Sequence, residues 1–375
     1  MRLVVCVNHA APFHIGGSEK IVQQITEGMT KDFGMQCTVV SRFAQGTMVH
    51  NGVTIEKMQP EDGRFLAQIR ALKPEHLFVY SDSFSHWGTI VRNAKRIPGS
   101  KSVSLVGMNH MRSRPDLWQS FRKQFQYFRI ITHSDNYLDY EACNGADMPI
   151  NVIPNFVDLE EMKDQGFSFR EKYNITTPKM ILCVSNFFPG KGQDHLLHML
   201  KKIYDRGQRD FTAIFICTTV NFRPAHVLRT RHAAAITKTP FPAKLFLDIP
   251  RSDTIQAFRE ADLFAFPSEV EVAPLVILET MAVGTPWVGL NVGNLPTLEG
   301  GKIVRGERKK EGRWVYSTEM HEEFQNHMLD ILNDDDLNKR LGEDAILQVV
   351  DQFNWENIKH KYHEIFTGIE SECLD

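Results

Sequence analysis

Pro267-Ser268-Glu269-Val270-Glu271-Val272-Ala273-Pro274-Leu275-Val276-Ile277-Leu278-Glu279-Thr280-Met281-Ala282-Val283-Gly284-Thr285-Pro286 is the stretch on which the reading of this chain turns. The run before it, Asp262 to Phe266, is short and apolar, as a buried parallel strand is. Pro274 suits the first turn of a helix, where its missing N–H would be unpaired anyway, and Gly284-Thr285-Pro286 ends that helix. Glu271 therefore lies in the loop before the helix and Glu279 inside it, eight positions further on. A helix opening at the carboxyl end of a buried strand offers unpaired N–H groups and partial positive charge, which suits a diphosphate. A carboxylate can take two hydrogen bonds from vicinal hydroxyls, so one acid can hold a ribose and the other a sugar. Two glutamates at this spacing mean little alone, since a helix Glu is usually a solvated charge. The strand, turn and helix around them make the segment read as a nucleotide-sugar site.

Around this segment the chain has 375 residues, which suits two domains rather than one core. Hydrophobic residues make up 42% and charged residues 24%, values of a soluble globular protein. No apolar run approaches membrane-spanning length, and Met1 to Val7 is too short and polar-ended for a signal peptide, so a cytoplasmic location is expected. Six cysteines (Cys6, Cys37, Cys143, Cys183, Cys217, Cys373) are scattered without a C-x-x-C pair and read as reduced core thiols. The histidine pairs His195/His198 and His360/His363 lack a nearby third ligand and read as helix-face residues, so no metal site is expected. Net charge is −3, but residues 1–155 carry +4, which leaves −7 for the rest. A basic front half is either an incidental asymmetry or a surface for an anionic partner.

Apolar strand-like runs recur in the first half at Leu3–Val7, Cys37–Val40, Val53–Glu56, Leu77–Tyr80, Val103–Val106, Ile130–His133 and Asn151–Ile153, with helical patterns such as Ser18–Lys31 and His86–Arg96 between them. The second half repeats the scheme at Met180–Val184, Thr212–Cys217, Lys244–Leu247, Asp262–Phe266 and Trp287–Leu290. This alternation predicts an α/β protein with two doubly wound parallel sheets, covered on both faces. The expected division is 1–155, joined by a C-terminal helix at about 354–375 that packs back on it, and 156–353. Phe353-Asn354-Trp355 with Ile358, Tyr362, Ile365 and Phe366 makes that last helix amphipathic.

The Glu271/Glu279 segment, with its Pro-Ser, its Leu-Glu-x-Met-Ala-x-Gly-x-Pro run and the following Val292-Gly293-Asn294-Leu295-Pro296, resembles the Glu-x7-Glu signature of the retaining glycosyltransferases of family four. The boundary Ile153-Pro154-Asn155-Phe156-Val157-Asp158 is similar to that family's Ile-Pro-Asn-Gly-Val-Asp, with Phe156 for the usual Gly. The resemblance implies the GT-B fold, two Rossmann-like domains facing each other across a cleft, and a nucleoside diphosphate sugar as substrate, most often a UDP-sugar. Gly16 and Gly17, after the first strand, lie where the family has a glycine-rich loop beside the donor phosphates. Ser185-Asn186-Phe187-Phe188-Pro189-Gly190-Lys191-Gly192 resembles its Gly-Arg-x4-Lys-Gly loop, where Arg and Lys neutralise the leaving diphosphate. Lys191 matches the lysine, whereas Asn186 replaces the arginine and brings no net charge. His110 stands where the family has a cleft histidine near the reacting carbon. By the same resemblance Glu271 meets the sugar hydroxyls, Glu279 the ribose, and the N–H groups of Leu275 and Val276 the phosphates, with Pro274 in place of a usual glycine. The reaction implied keeps the anomeric configuration and uses no divalent metal and no cofactor. Asp334-Asp335-Asp336 reads as a helix cap rather than a metal motif.

The acceptor is less legible. Arg112 to Arg129 interleaves Arg112, Arg114, Arg122, Lys123 and Arg129 with Trp118, Phe121, Phe125, Tyr127 and Phe128, while Arg223 to Lys244 carries Arg229 and Arg231 among five bases and no acid. The stretches are either amphipathic helices with core aromatics or grips for a polyanion. Relatives of this kind favour a glycan, lipid-linked glycan or small-molecule acceptor, with peripheral membrane contact as one option. Duplex DNA with hydroxymethylated bases, flipped out for transfer, is the alternative acceptor. A nucleotide-sugar epimerase or a binding protein without activity is the alternative of another class, and the loss of arginine at 186 is the feature that favours it.

Overall fold

A strand buried on both faces has no polar side to show, and the sequences Leu-Val-Val-Cys-Val, His-Leu-Phe-Val-Tyr, Met-Ile-Leu-Cys-Val and Phe-Thr-Ala-Ile-Phe-Ile-Cys all form such strands. The computed structural model describes residues 1–13, 16–81, 83–106, 114–219, 223–306 and 315–369. The chain divides into two compact units, residues 1–156 with 355–375, and residues 157–354.

Unit 1 contains β1 (Arg2–Val7), α1 (Gly17–Phe33), β2 (Gln36–Ser41), β3 (Met48–His50), β4 (Val53–Lys57), α2 (Asp62–Leu72), β5 (His76–Tyr80), α3 (Trp87–Arg92), β6 (Ser100–Ser104), α4 (Pro115–Arg122), β7 (Arg129–Thr132), α5 (Leu138–Asn144) and β8 (Ile150–Val152). Its sheet has the order β3-β4-β2-β1-β5-β6-β7-β8. All neighbours are parallel except β3, which runs antiparallel to β4.

Unit 2 contains α6 (Phe169–Lys172), β9 (Lys179–Val184), α7 (Gln193–Asp205), β10 (Phe211–Cys217), α8 (Arg223–Ile236), β11 (Ala243–Leu247), α9 (Arg251–Glu260), β12 (Leu263–Phe266), α10 (Leu275–Ala282), β13 (Trp287–Leu290), β14 (Gly301–Val304), α11 (Thr318–Asn333) and α12 (Asp335–Gln352). Its wholly parallel sheet runs β11-β10-β9-β12-β13-β14. Strand order reverses between β9 and β12. Crossovers leave in opposite directions from such a point, which opens a crevice at the carboxyl ends of the two strands, the usual place for a ligand on an open α/β sheet.

After unit 2 the chain returns in α13 (Trp355–Thr367). Ile358, Tyr362, Ile365 and Phe366 are buried on its inner face, and the Phe366 ring lies 5.1 Å from His76 and 5.3 Å from Phe78 on β5. The Trp355 indole lies 5.3 Å from the Phe156 ring and donates from Nε1 to Asp32 at 2.7 Å. A Cβ on Gly28 of α1 would meet that indole at 2.1 Å, so α13 seats against α1 only because residue 28 has no side chain. Phe156, in place of the usual glycine, is therefore part of this packing.

The strand expected at Val103–Val106 is centred earlier, at Ser100–Ser104. Its serines were unreadable as a strand because their purpose is tertiary: Ser100 and Ser102 bond the ring nitrogens of buried His76 at 2.7 and 2.8 Å. The three-residue β3 and the Gly-Lys-Ile-Val of β14 were also unreadable, being too short or too polar to show a period. Asp334 caps α12 through Leu337 N–H at 2.9 Å, as the acidic triplet suggested. His360 and His363 pack on Phe33 at 5.7 and 4.2 Å, on the side of α13 that meets α1. The five described cysteines are buried, and burial pushes the Cys183 thiol up to about 12.

Two outcomes are expected of unit 1. Phe366→Ala removes a fully packed ring and should cost about 3–5 kcal/mol, seen as a lower urea midpoint with an unchanged slope. Burial, and then the charge of Arg129, depress His76 from its ordinary 6.5 to about 3. Only the unfolded chain takes up that proton between these values, so stability should fall as pH drops from 6.5 toward 3. Urea titrations at successive pH values measure this, and a flat profile would contradict it.

Candidate active site

The reversal point of unit 2 carries the residues that the sequence singled out. The loop after β9 holds Asn186 and Lys191, and the loop after β12 holds Glu271 and leads into α10 with Leu275, Val276 and Glu279. The loops are fastened backbone to backbone, Glu269 N–H donating to the Gly190 carbonyl at 2.7 Å. Gly192 has φ +73, and a Cβ there would strike the Pro267 carbonyl oxygen at 2.1 Å. A side chain at 192 would hold the loops apart, which explains the glycine after Lys191.

Fastened this way, Lys191 places Nζ 2.5 Å from Oε1 of Glu271. The same carboxylate oxygen accepts from Ser268 Oγ at 2.7 Å. Both side chains are largely buried, 23% and 10% exposed, so the pair is a charge-assisted contact in a partly dehydrated setting. Glu279, in the second turn of α10, is buried and pairs with Nη2 of Arg251 at the start of α9. Arg251 also meets Glu161 through Nε and Nη2, at 3.3 and 3.2 Å. Burial alone would lower the Arg251 pKa, but the Glu279 and Glu161 carboxylates hold it above its ordinary value.

Asn186 accepts from Thr218 N–H at 3.3 Å through Oδ1, which leaves the amide nitrogen to donate. Gln193 grips the same loop, donating from Nε2 to Ser185 Oγ at 2.7 Å and to the Asn186 carbonyl at 3.1 Å. Pro274 is the residue before α10, and no side chain caps the helix there, so the N–H groups of its first turn, those of Leu275 and Val276 among them, take no side-chain cap. Lys191, Glu271, Asn186, Leu275, Val276 and Glu279 thus belong to one end of one sheet.

Other expected residues lie elsewhere. Gly16 and Gly17 are in unit 1, where Gly16 precedes α1 in an extended conformation. His110 and Arg112 lie outside the described residues. Arg114 precedes α4, Arg122 ends it and Lys123 follows. The aromatics of that stretch are core: Phe121 and Phe128 are buried, and Trp118, Phe125 and Tyr127 pack against the same cluster. This packing agrees with the amphipathic-helix alternative for the aromatics of the stretch. On α8, Arg231 meets Asp194 at 3.5 Å, and Arg229 reaches His226 and Thr219 near Asp248. The stretch has no acid in sequence, but other elements of the fold supply acids to it, so Arg229 and Arg231 are not bare cations waiting for phosphate.

Arg251 and Ser268 are the site residues that sequence reasoning missed. Ser268 stood in the quoted Pro-Ser, but nothing marked its hydroxyl as the second donor to Glu271. Arg251 is 28 positions from Glu279, and only the adjacency of α9 and α10 joins them. Among the described residues no group of three or more His, Cys, Asp or Glu is arranged to hold a metal ion, and no helix is long and apolar enough to cross a membrane.

The family described as "Glycosyl transferases group 1" matches residues 166–348, inside unit 2. The chain is 28% identical over 201 residues to a D-inositol 3-phosphate glycosyltransferase of Corynebacterium efficiens, covering 52% of this chain and 44% of that one. It is 32% identical over 228 residues to an N-acetyl-alpha-D-glucosaminyl L-malate synthase of Bacillus anthracis, covering 59% and 54%. The chain thus spans about half the length of the curated relatives it matches. Sucrose-phosphate synthase of Thermosynechococcus elongatus has the same fold with a TM-score of 0.79 at 15% identity, over 98% of both chains. The Anabaena protein HepE, solved with UDP and glucose, follows at 0.77 and 16%, over 98% of this chain and 100% of that one. With its strand order and these likenesses the chain has the GT-B fold, and its residues 166–348, which carry Lys191 and Glu271 at the reversal point, are similar to the group 1 glycosyl transferases.

Proposed function

We propose that this chain moves a sugar from a nucleoside diphosphate sugar to a hydroxyl of a small polar molecule or a glycan, with retention of configuration. The observation that carries the reading is the Lys191–Glu271 pair at the strand-order reversal, beside the opening of α10. Lys191 supplies the positive charge that a departing diphosphate needs, and the first N–H groups of α10 supply partial charge without a divalent ion. The bond from the anomeric carbon to the phosphate oxygen breaks, and its electrons go to the diphosphate. The acceptor oxygen bonds to that carbon on the same face and passes its proton to the leaving phosphate. Glu271 takes the sugar hydroxyls while staying within reach of Lys191, and Glu279 takes the ribose diol with Arg251 behind it.

Two relatives support a small polar acceptor, since their names give an inositol phosphate and malate. A lipid-borne acceptor has the support of a more distant relative, a mannosyltransferase of Corynebacterium glutamicum named for a phosphatidylinositol monomannoside. No observation favours a modified-duplex acceptor. UDP is our choice of nucleotide, and the UDP held by the Anabaena protein of the same fold supports it.

Incubated with UDP- and GDP-sugars and a panel of polyol, hydroxy-acid and glycan acceptors, the protein should release nucleoside diphosphate to the same extent with and without EDTA. Loss of release with EDTA would remove the metal-free part of the reading, and no release with any donor would favour a binding protein. Lys191→Ala should lower turnover about 10²–10³-fold while circular dichroism shows an intact fold. Wild-type turnover in that variant would end the assignment of Lys191.

A further inference from the structure

Behind the loop that carries Glu271, three elements of unit 2 bring together side chains that the transfer step leaves unused. His195, in the first turn of α7, has Nε2 3.5 Å from Oε1 of Glu269 and Nδ1 3.0 Å from Nε2 of His321, in the first turn of α11. Tyr316 stacks on both rings, with centroids 4.3 and 4.9 Å away, and donates its hydroxyl to the Pro267 carbonyl at 3.0 Å. Glu269 is the residue whose N–H holds the Gly190 carbonyl, directly before Lys191. A chain of contacts therefore runs from α11 through two imidazoles and a buried carboxylate to the turn that aims the lysine.

Two ring nitrogens 3.0 Å apart need one donor and one acceptor. With both rings neutral, His195 can donate from Nε2 to Glu269 and accept at Nδ1 from His321. One added proton can be accommodated, since a charged His195 still donates to both neighbours. A second cannot, because both facing nitrogens would then carry hydrogen and two positive rings would meet. We infer that His195 and His321 are positioning residues for the Lys191–Glu271 pair, joined by one ring proton that fixes Glu269 and with it the Gly190-Lys191 turn.

The charges around the pair agree with this. Glu269 and Asp194 face His195, while His198, its ring 5.5 Å from His321, adds a further titratable ring, and Tyr316 covers both. Burial, and then the charges of His195 and His198, hold His321 below its ordinary value. A depressed base stays neutral above the histidine range and is forced to charge as pH falls below it, so the contact opens on the acid side. Pro267 and Glu269 lie in the signature segment, but His195, Tyr316 and His321 come from elsewhere in the chain. It deepens the transferase reading and rests on it, but the ring pair itself can be measured without any turnover.

The test follows diphosphate release from pH 8 to 5 in the wild type and in His321→Gln, which keeps a hydrogen-bonding group but does not titrate. We expect an acid limb in the wild type, near-normal turnover of the variant at neutral pH, and a limb displaced by about one pH unit or more in the variant. An unchanged limb, or equal loss at every pH, would make His321 merely structural and overturn the inference. Independently, the His321 imidazole resonance should titrate higher in His195→Gln than in the wild type, since the charge of His195 is removed while the burial stays, and an identical midpoint would also overturn it. If Lys191→Ala keeps its turnover, the transfer site is wrong, yet the imidazole titration still decides whether the two rings are coupled.

Discussion

One short backbone contact, the Glu269 N–H on the Gly190 carbonyl, governs the chemistry of unit 2. A parallel sheet that reverses its strand order must leave a gap at the reversal, and the loops bordering it belong to strands whose helices depart in opposite directions. Left apart, they would hold Lys191 and Glu271 beyond ion-pairing distance. Gly192 permits the approach, the Glu269 amide fixes it, and the Ser268 hydroxyl finishes the Glu271 oxygen that Lys191 also occupies. A small positive group and a carboxylate at the end of an otherwise apolar sheet follow from that closure.

The site conserves charge closely. Lys191 answers Glu271, and Arg251 answers both Glu279 and Glu161, so neither cation lies bare before a ligand. A bare cation would attract any phosphate, whereas a paired one yields only to a ligand whose own groups satisfy the carboxylate it leaves. The donor proposed above, a diphosphate with a hydroxylated sugar at one end and a ribose at the other, would meet both conditions at once. Asn186 brings a dipole rather than a charge to this end of the sheet, with its side-chain oxygen accepting from Thr218 N–H. Arg231 and Arg229 follow the same rule on α8, facing Asp194 and the neighbourhood of Asp248.

Much of the architecture could be read from sequence because parallel strands are apolar throughout and short. Met180–Val184, Thr212–Cys217 and Trp287–Leu290 announce themselves, and so does the helix between Pro274 and Gly284. Glu271 and Glu279 were visible for the same reason, since a local strand, turn and helix carry both. What escaped depends on contacts between distant segments. β6 looks like a polar linker until His76 is found beneath its serines, and β14 needs β13 beside it to be a strand at all. Arg251, His195 and His321 each sit in an unremarkable first helical turn, and their meaning comes from which helix the sheet order sets next to which. The aromatics around Arg122 left two readings open, because interleaving with bases is also the pattern of a helix whose one face is core, and it is on the core that they pack.

Phe156 and Trp355 mark the two points where the chain passes between the units, and there Val157 donates to the Phe353 carbonyl at 2.9 Å. Unit 2 is thus, topologically, an insertion spliced into unit 1 through a single doorway. Synthesis from the amino end makes the strands of unit 1 first, but its β5 surface stays uncovered until Tyr362 and Phe366 have been made, after the whole of unit 2. The first half to emerge from the ribosome is therefore the last to be completed, and in the meantime it must keep an apolar sheet face from finding another partner.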